Sequence, residues 1–274
     1  WELGLNASHN RNKVLELVEQ GETDNGMGIT IQGSGNQVLA EGHAMGAFFG
    51  YQYEGIIQDQ ATINELNAQA VAAGKNTYNG SGLRPGHLLL RDVDGNGYID
   101  NKDRMIIGSP EADLIGGLTS TLAYKRLSLY MHFGFQIGGK KLFNKTLQNL
   151  PNQLTGLVDY NLDNRWSEDN RDAKLPAMYI GDGVAPNTSL SLFNASNLRL
   201  QELRLSYDIP KLWGGKYLNS GEIYFTANNL FVITKYPGQD PSTIGSATSN
   251  YGSNYENWNY PSSRTFSFGV KLNF

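Results

Sequence analysis

Cysteine is absent from the chain of 274 residues. This excludes a disulfide framework and any thiolate metal site, but it does not identify a compartment. Charge is sparse: 18% of residues are charged, and 22 Lys and Arg against 26 Asp and Glu leave a net charge of −4 with no basic stripe. A nucleic-acid partner therefore has no electrostatic support. No run of about 18 apolar residues occurs, which excludes a transmembrane helix. Strands that cross a membrane are not excluded, because they alternate and leave the mean hydropathy low; here it is −0.41. Catalytic signatures are missing too. His9, His43, His87 and His132 lie far apart and form no H-E-x-x-H pair, and there is no G-x-S-x-G elbow, Walker loop or G-x-G-x-x-G fingerprint. The chain opens at Trp1 inside an alternating pattern, with no Met and no signal peptide.

What is present points to strands and turns. Glycine (32) and tyrosine (15) are abundant, a composition that suits an all-β chain better than a helical one. The clearest period lies in residues 264–274, RTFSFGVKLNF. Phe266, Phe268, Val270, Leu272 and Phe274 share one face, and Thr265, Ser267, Gly269, Lys271 and Asn273 share the other. Strict period two of this kind describes a half-buried strand, and equally a barrel strand with lipid on one side and a polar lumen on the other. Leu118, Leu122 and Tyr124 repeat the pattern, with Ser120 interrupting the apolar face. After a Lys125-Arg126 turn it continues through Leu127, Leu129, Met131, Phe133, Phe135 and Ile137. In residues 197–209 the apolar parity shifts from Leu198 and Leu200 to Leu203, Leu205 and Tyr207, which predicts a bulge near Gln201-Glu202. Further strands are expected at residues 1–7, 44–56, 86–92 and 222–233, for about eight in all. The turns at 125–126 and 210–220 are short, whereas 138–193 and 234–263 are long and polar, the asymmetry of a membrane barrel. One segment departs from the pattern. Thr62 and Glu65 have capping-box spacing, and Ile63, Leu66 and Ala70 can share the face of a helix ending at Gly74. Counting strands places that helix at the short-turn side.

The sharpest local motif is DVDGNGYIDNKD at residues 92–103, which fits the D-x-[DN]-x-[DN]-G calcium loop. It offers Asp92, Asp94, Asn96, Asp100 and Asp103 side chains and the Tyr98 carbonyl, with Gly97 at the sharp turn. Asp103 stands where an EF-hand has Glu, and the preceding Leu88-Leu89-Leu90 reads as a strand. A metal-free Asx-rich turn explains the same residues. Strand counting places this loop at the long-loop side. Trp166, Trp258 and Tyr260 fall in the long loops, where aromatic rings can stack on a sugar or grip a partner, or simply pack the loops together.

Six stretches together resemble the SusC/RagA-like TonB-dependent transporters of Bacteroidetes. They are residues 42–56 (GHAMGAFFGYQYEGI), 85–108 (PGHLLLRDVDGNGYIDNKDRMIIG), 164–167 (NRWS), 196–209 (SNLRLQELRLSYDI), 227–241 (ANNLFVITKYPGQDP) and 261–274. They occur in the family's order and span nearly the whole chain. The resemblance implies a transmembrane antiparallel barrel of 22 strands in the outer membrane, of which residues 1–274 supply the C-terminal part. It further implies an N-terminal plug that engages the TonB complex, a SusD-like surface lipoprotein acting as a lid, and oligosaccharides or peptides as cargo. The plug and the first strands are then absent from this sequence. Two rivals start from the residues alone. A secreted, calcium-stabilised β-sandwich that binds carbohydrate accounts for both the alternation and the calcium loop. A glycosidase would need paired carboxylates in a cleft, and Glu168-Asp169 and Asp92/Asp94 are the only clusters.

Overall fold

The computed structural model describes residues 1–17, 31–32, 36–80, 82–143, 164–177, 187–210, 219–242, 255–256 and 262–273. Six strands make one antiparallel sheet in sequence order. They are β1 (Glu2–Ser8), β2 (Ala112–Tyr124), β3 (Leu127–Gly138), β4 (Asn197–Ile209), β5 (Ser220–Thr234) and β6 (Thr265–Asn273). The register turns each strand's alternation into rows that run across the sheet. Leu122, Leu129, Leu205, Phe225 and Phe268 stand opposite one another in turn, as do Ser120, Met131, Leu203, Ala227 and Phe266. One position along, the rows are Thr119, His132, Glu202, Asn228 and Thr265, and Thr121, Tyr130, Arg204, Thr226 and Ser267. One face is thus apolar from edge to edge and the other polar, where Arg204 pairs with Glu222 at 2.7 Å.

The apolar face is not packed away. Phe268 is 72% exposed and Phe266 60%, and Leu122, Leu205 and Phe225 are exposed as well. A sandwich would press a second sheet onto such a face; among the described residues none of the smaller sheets does so. No helix among the described residues is long and apolar enough to cross a membrane.

Ser120, the interruption on the apolar face, is nearly buried and accepts a hydrogen bond from the Trp1 indole at 3.0 Å. The expected bulge is present. Leu200 opposes Phe133 while Glu202 opposes His132, leaving Gln201 as the extra residue against β3. Against β5 the mismatch is reversed: Leu200 faces Phe231 and Glu202 faces Asn228, and the intervening Asn229 takes a left-handed φ of 53°.

Two segments expected to be strands of the wall, 44–56 and 86–92, do not enter it. Ala47–Tyr51 lies in a four-stranded sheet with Ile31–Gln32, Gln37–Ala40 and Arg104–Gly108, while Tyr53–Ile56 pairs with Leu88–Leu90. At 5, 4 and 3 residues, Ala47–Tyr51, Tyr53–Ile56 and Leu88–Leu90 are too short for the roughly 9–11 that a membrane strand needs. Residues 9–111 are therefore one excursion between hydrogen-bonded neighbours, since Ser8 opposes Ile115 and Glu2 opposes Thr121. The helix moves accordingly. α1 (Gln60–Ala72) stands at the end of the sheet that also carries the 139–196 and 235–264 connections, not at the end with the 125–126 turn. Its N-cap is Asp59, whose carboxylate accepts the Thr62 N–H at 2.8 Å, so Thr62 and Glu65 lie inside the first turns. Gly74, at φ 80°, follows its end. Ile63 and Ala70 do share a face, buried with Ile57, Tyr78 and Leu83, and Leu66, Leu89, Tyr98 and Ile99 pack around them.

Candidate functional site

Chemistry collects at the loop end, and most densely in the turn at residues 92–103. The Tyr53–Ile56 and Leu88–Leu90 pair delivers the chain to Asp92, and Tyr78 anchors it by donating its hydroxyl to the Leu90 carbonyl at 2.9 Å. Burial pushes the Tyr78 hydroxyl up to about 12. Gly97, at φ 89°, lies against α1: a side chain there would begin 3.2 Å from the Gln69 carbonyl. Only a residue without Cβ meets both demands.

Within the turn the carboxylates gather backbone N–H groups. Asp92 accepts from Gly95 and Gly97, both at 2.7 Å, and Asp94 accepts from Asn96. Asp103, fully buried, accepts from Val93 and Asp100, each at 2.7 Å. Carboxylate oxygens of Asp92, Asp94 and Asp103 come within 4.8 Å of one another. Burial raises the Asp103 carboxyl above its ordinary range; the two N–H donors oppose this, and the charges of Asp92 and Asp94 add to it. The nearby Lys75 ammonium lies 4.6 Å from the centre of the Tyr98 ring. Three converging hard oxygen donors are the chemistry a divalent cation such as calcium prefers.

Of the residues expected to ligate, Asp92, Asp94 and Asp103 are brought together. Asn96 lies beside them, its amide donating to Asp94 at 3.0 Å while its oxygen takes the Tyr98 N–H. Asp100 is engaged differently. It caps the short helix Asn101–Asp103 in a capping box with Asp103, accepting the Lys102 N–H at 2.6 Å.

Of the two readings open for Trp166, the structure takes the packing of loop on loop and not the exposed stacking surface. The residue is only 6% exposed, its indole N–H donates to Gln58 at 2.8 Å, and its ring lies over Gly86. It seals loop against loop. Trp258 and Tyr260 lie outside the described residues.

Sequence reasoning did not find a second polar cluster, which joins the wall to the loops. Arg199 of β4 forms an ion pair with Asp240, and both are buried. Asp240 also accepts from the Ser242 N–H at 2.8 Å and the Ser262 hydroxyl at 2.9 Å. Burial alone would raise the Asp240 carboxyl, but those hydrogen bonds and the Arg199 charge outweigh it and hold it below the ordinary range. Lys141, completely buried, donates to the backbone carbonyls of Asp240 at 3.0 Å and Pro241 at 3.2 Å. Phe143, Phe193 and Tyr236 meet edge to face around it, with centroids 5.9–6.3 Å apart. The only advance signal was a charged residue between Leu198 and Leu200, near the loop end of a strand.

No family model matches the chain. Curated relatives do, along its full length. TonB-dependent receptor P3 of Formosa agariphila is 31% identical over 283 residues, covering 100% of this chain and 27% of that protein. Receptor P26 of the same organism is 28% identical over 288 residues, covering 100% and 27%. TonB-dependent receptor SusC of Bacteroides thetaiotaomicron is 26% identical over 282 residues, covering 100% and 24%. The chain thus spans about a quarter of the length of these relatives. Among solved structures, the RagAB peptide transporter superposes with a TM-score of 0.70 at 23% identity, covering 99% of this chain and 27% of that one. The RagAB peptide importer in its 'open-open' state gives 0.69 at 23%, covering 99% and 26%. The sheet with one apolar and one polar face, its long loops at one end, is a partial barrel, and along its whole length the chain is similar to SusC and other TonB-dependent receptors.

Proposed function

We propose that the chain is the C-terminal part of the barrel of an outer-membrane importer for oligosaccharides or peptides, working with a SusD-like surface lipoprotein. The observation that carries this reading is the segregation of the sheet: rows of exposed apolar side chains on one face, polar rows on the other, and every long connection at one end. The apolar face then meets lipid and the polar face lines the path of the cargo. The loop end faces outside the cell, where cargo is held between the loops and the lipoprotein. Coupling to the TonB complex belongs to a plug in the remainder of the protein, and no enzymatic step takes part. The names of the relatives support the receptor class, and peptide cargo is stated for RagAB.

In this reading the turn at residues 92–103 takes calcium as a structural ion. Asp92, Asp94 and Asp103 would hold it, joined by Asn96 and the Tyr98 carbonyl, with Asp100 acting through a water as the ninth loop position commonly does. Its work is to fix the crossover into β2, away from the cargo.

The test is affinity capture of the tagged full-length receptor from its native outer membrane. A SusD-like lipoprotein should co-purify in comparable amount. Recovery of the receptor from that membrane without such a partner overturns the lipoprotein reading, and recovery only from soluble fractions overturns the importer reading altogether.

A further inference from the structure

At the turn end the last apolar row consists of Tyr124, Leu127 and Tyr207, which stand opposite one another and are all exposed. Beside it, Lys125 and Arg126 form the tight turn between β2 and β3. These five residues line an open recess of about 760 Å³. The Lys125 ammonium lies 5.4 Å from the centre of the Tyr124 ring. Neither cation forms an ion pair with an acidic side chain among the described residues. Asp208 donates its backbone N–H to the Arg126 carbonyl at 2.9 Å. Its side chain, however, belongs to the polar-face row with Glu222 and Lys271, on the other side of the sheet. The recess is therefore aromatic and cationic with no carboxylate in its lining.

Lys125 is also held in a left-handed conformation, φ 56°. Glycine or asparagine adopts that conformation at less cost, so the turn carries strain at Lys125. The rest of the apolar face ends differently at this side: β4 to β6 close with Ile209, Gly221 and Leu272, a row without cations. Among the described residues, the cations beside the apolar face at this end are those of the Lys125-Arg126 turn.

We propose that this corner is a headgroup site for an anionic glycerophospholipid. The inference rests on the apolar face being the lipid-facing one. Acyl chains lie along the Leu122–Leu129–Leu205 row, the tyrosine hydroxyls reach the boundary between hydrocarbon and water, and Lys125 and Arg126 take the phosphate. A zwitterionic headgroup brings its own ammonium into the same recess and gains less from two cations.

The experiment reconstitutes the full-length receptor in vesicles of equal parts phosphatidylglycerol and phosphatidylethanolamine and reads co-purified lipid by native mass spectrometry. The parent should retain phosphatidylglycerol preferentially. A Lys125→Gln, Arg126→Gln variant should lose that preference, by about fivefold for each cation removed, while Lys125→Arg, Arg126→Lys keeps it. Undiminished retention in the neutral variant overturns the site. So does equal loss of both lipids, which would mark a purely apolar contact. A parent that inserts but shows no preference overturns the site alone; a parent that fails to enter the vesicles overturns the lipid-facing reading with it.

Discussion

Two buried aspartates in the loops titrate in opposite directions, and their surroundings explain the difference. Asp240 has its counter-charge in Arg199 and its hydrogen bonds from Ser242 and Ser262, and its carboxyl is lowered. Its contribution is present above the ordinary carboxylate range and is lost as pH falls through the lowered folded value. Asp103 is raised, chiefly by burial. Its contribution is present below the ordinary range and is lost as pH rises through the raised value. Chelation at neutral pH should therefore speed hydrogen exchange across residues 92–103, and near pH 4 the effect should shrink because protonation replaces the cation. Equal exchange with and without calcium at neutral pH would remove the ion from the turn. Arg199→Ala should loosen the 236–242 segment by about 3–5 kcal/mol, the usual cost of stranding one member of a buried pair. Exchange of the Ser242 amide reads that loss, and Arg199→Lys should recover only part of it.

At the scale of the strand, period two carries consequences that differ sharply between neighbours. Phe268→Arg places a charge on the apolar face and should cost about 2–4 kcal/mol of folding into membrane, whereas Ser267→Arg, on the polar face, should be mild. Heat-modifiable gel mobility of the two variants separates them, and equal damage would contradict the assignment of faces. The wall strands, the bulge at Gln201 and the hairpin turn at Lys125-Arg126 were legible in the sequence, because pleat and parity are written residue by residue. The short strands at Ala47–Tyr51, Tyr53–Ile56 and Leu88–Leu90 were misread as wall. A short apolar run says that its residues are covered without saying by what, and here the cover is the loop's own residues 104–108 and α1. The helix cap was off by one turn for a similar reason: Asp59 and Thr62 both precede apolar residues, and only geometry shows which carboxylate or hydroxyl meets the free N–H groups. The Arg199–Asp240 pair lay beyond reach because it joins residues 41 apart in sequence, and although packing by Trp166 was legible, its partner Gln58, 108 residues away, was not.

For the whole molecule the decisive feature is that residues 9–111, 139–196 and 235–264 leave from the same end. An epitope inserted after Gly74, beyond the end of α1, should be labelled by antibody on intact cells, and one inserted at Lys125-Arg126 only after the outer membrane is opened. Labelling of the 125–126 epitope on intact cells would invert the molecule.

The excursion between β1 and β2 also sets an order of assembly. β2 and β3 are joined by two residues and can zip as a local hairpin, whereas β1 reaches β2 only across a loop of roughly a hundred residues. Closing so long a loop costs about 3 kcal/mol more in chain entropy than closing a tight turn, if the loop is slack. It need not be slack: Ile57, Ile63, Ala70, Tyr78 and Leu83 give it a core of its own. The two ends of the loop also meet directly, where Glu111 accepts the Asn12 N–H at 3.0 Å, a contact that sets β1 beside the edge of β2. If that end contact guides the seam, Glu111→Ala should slow the pairing of β1 with β2 while leaving the β2–β3 hairpin unchanged, as read by hydrogen exchange of the two seams during refolding.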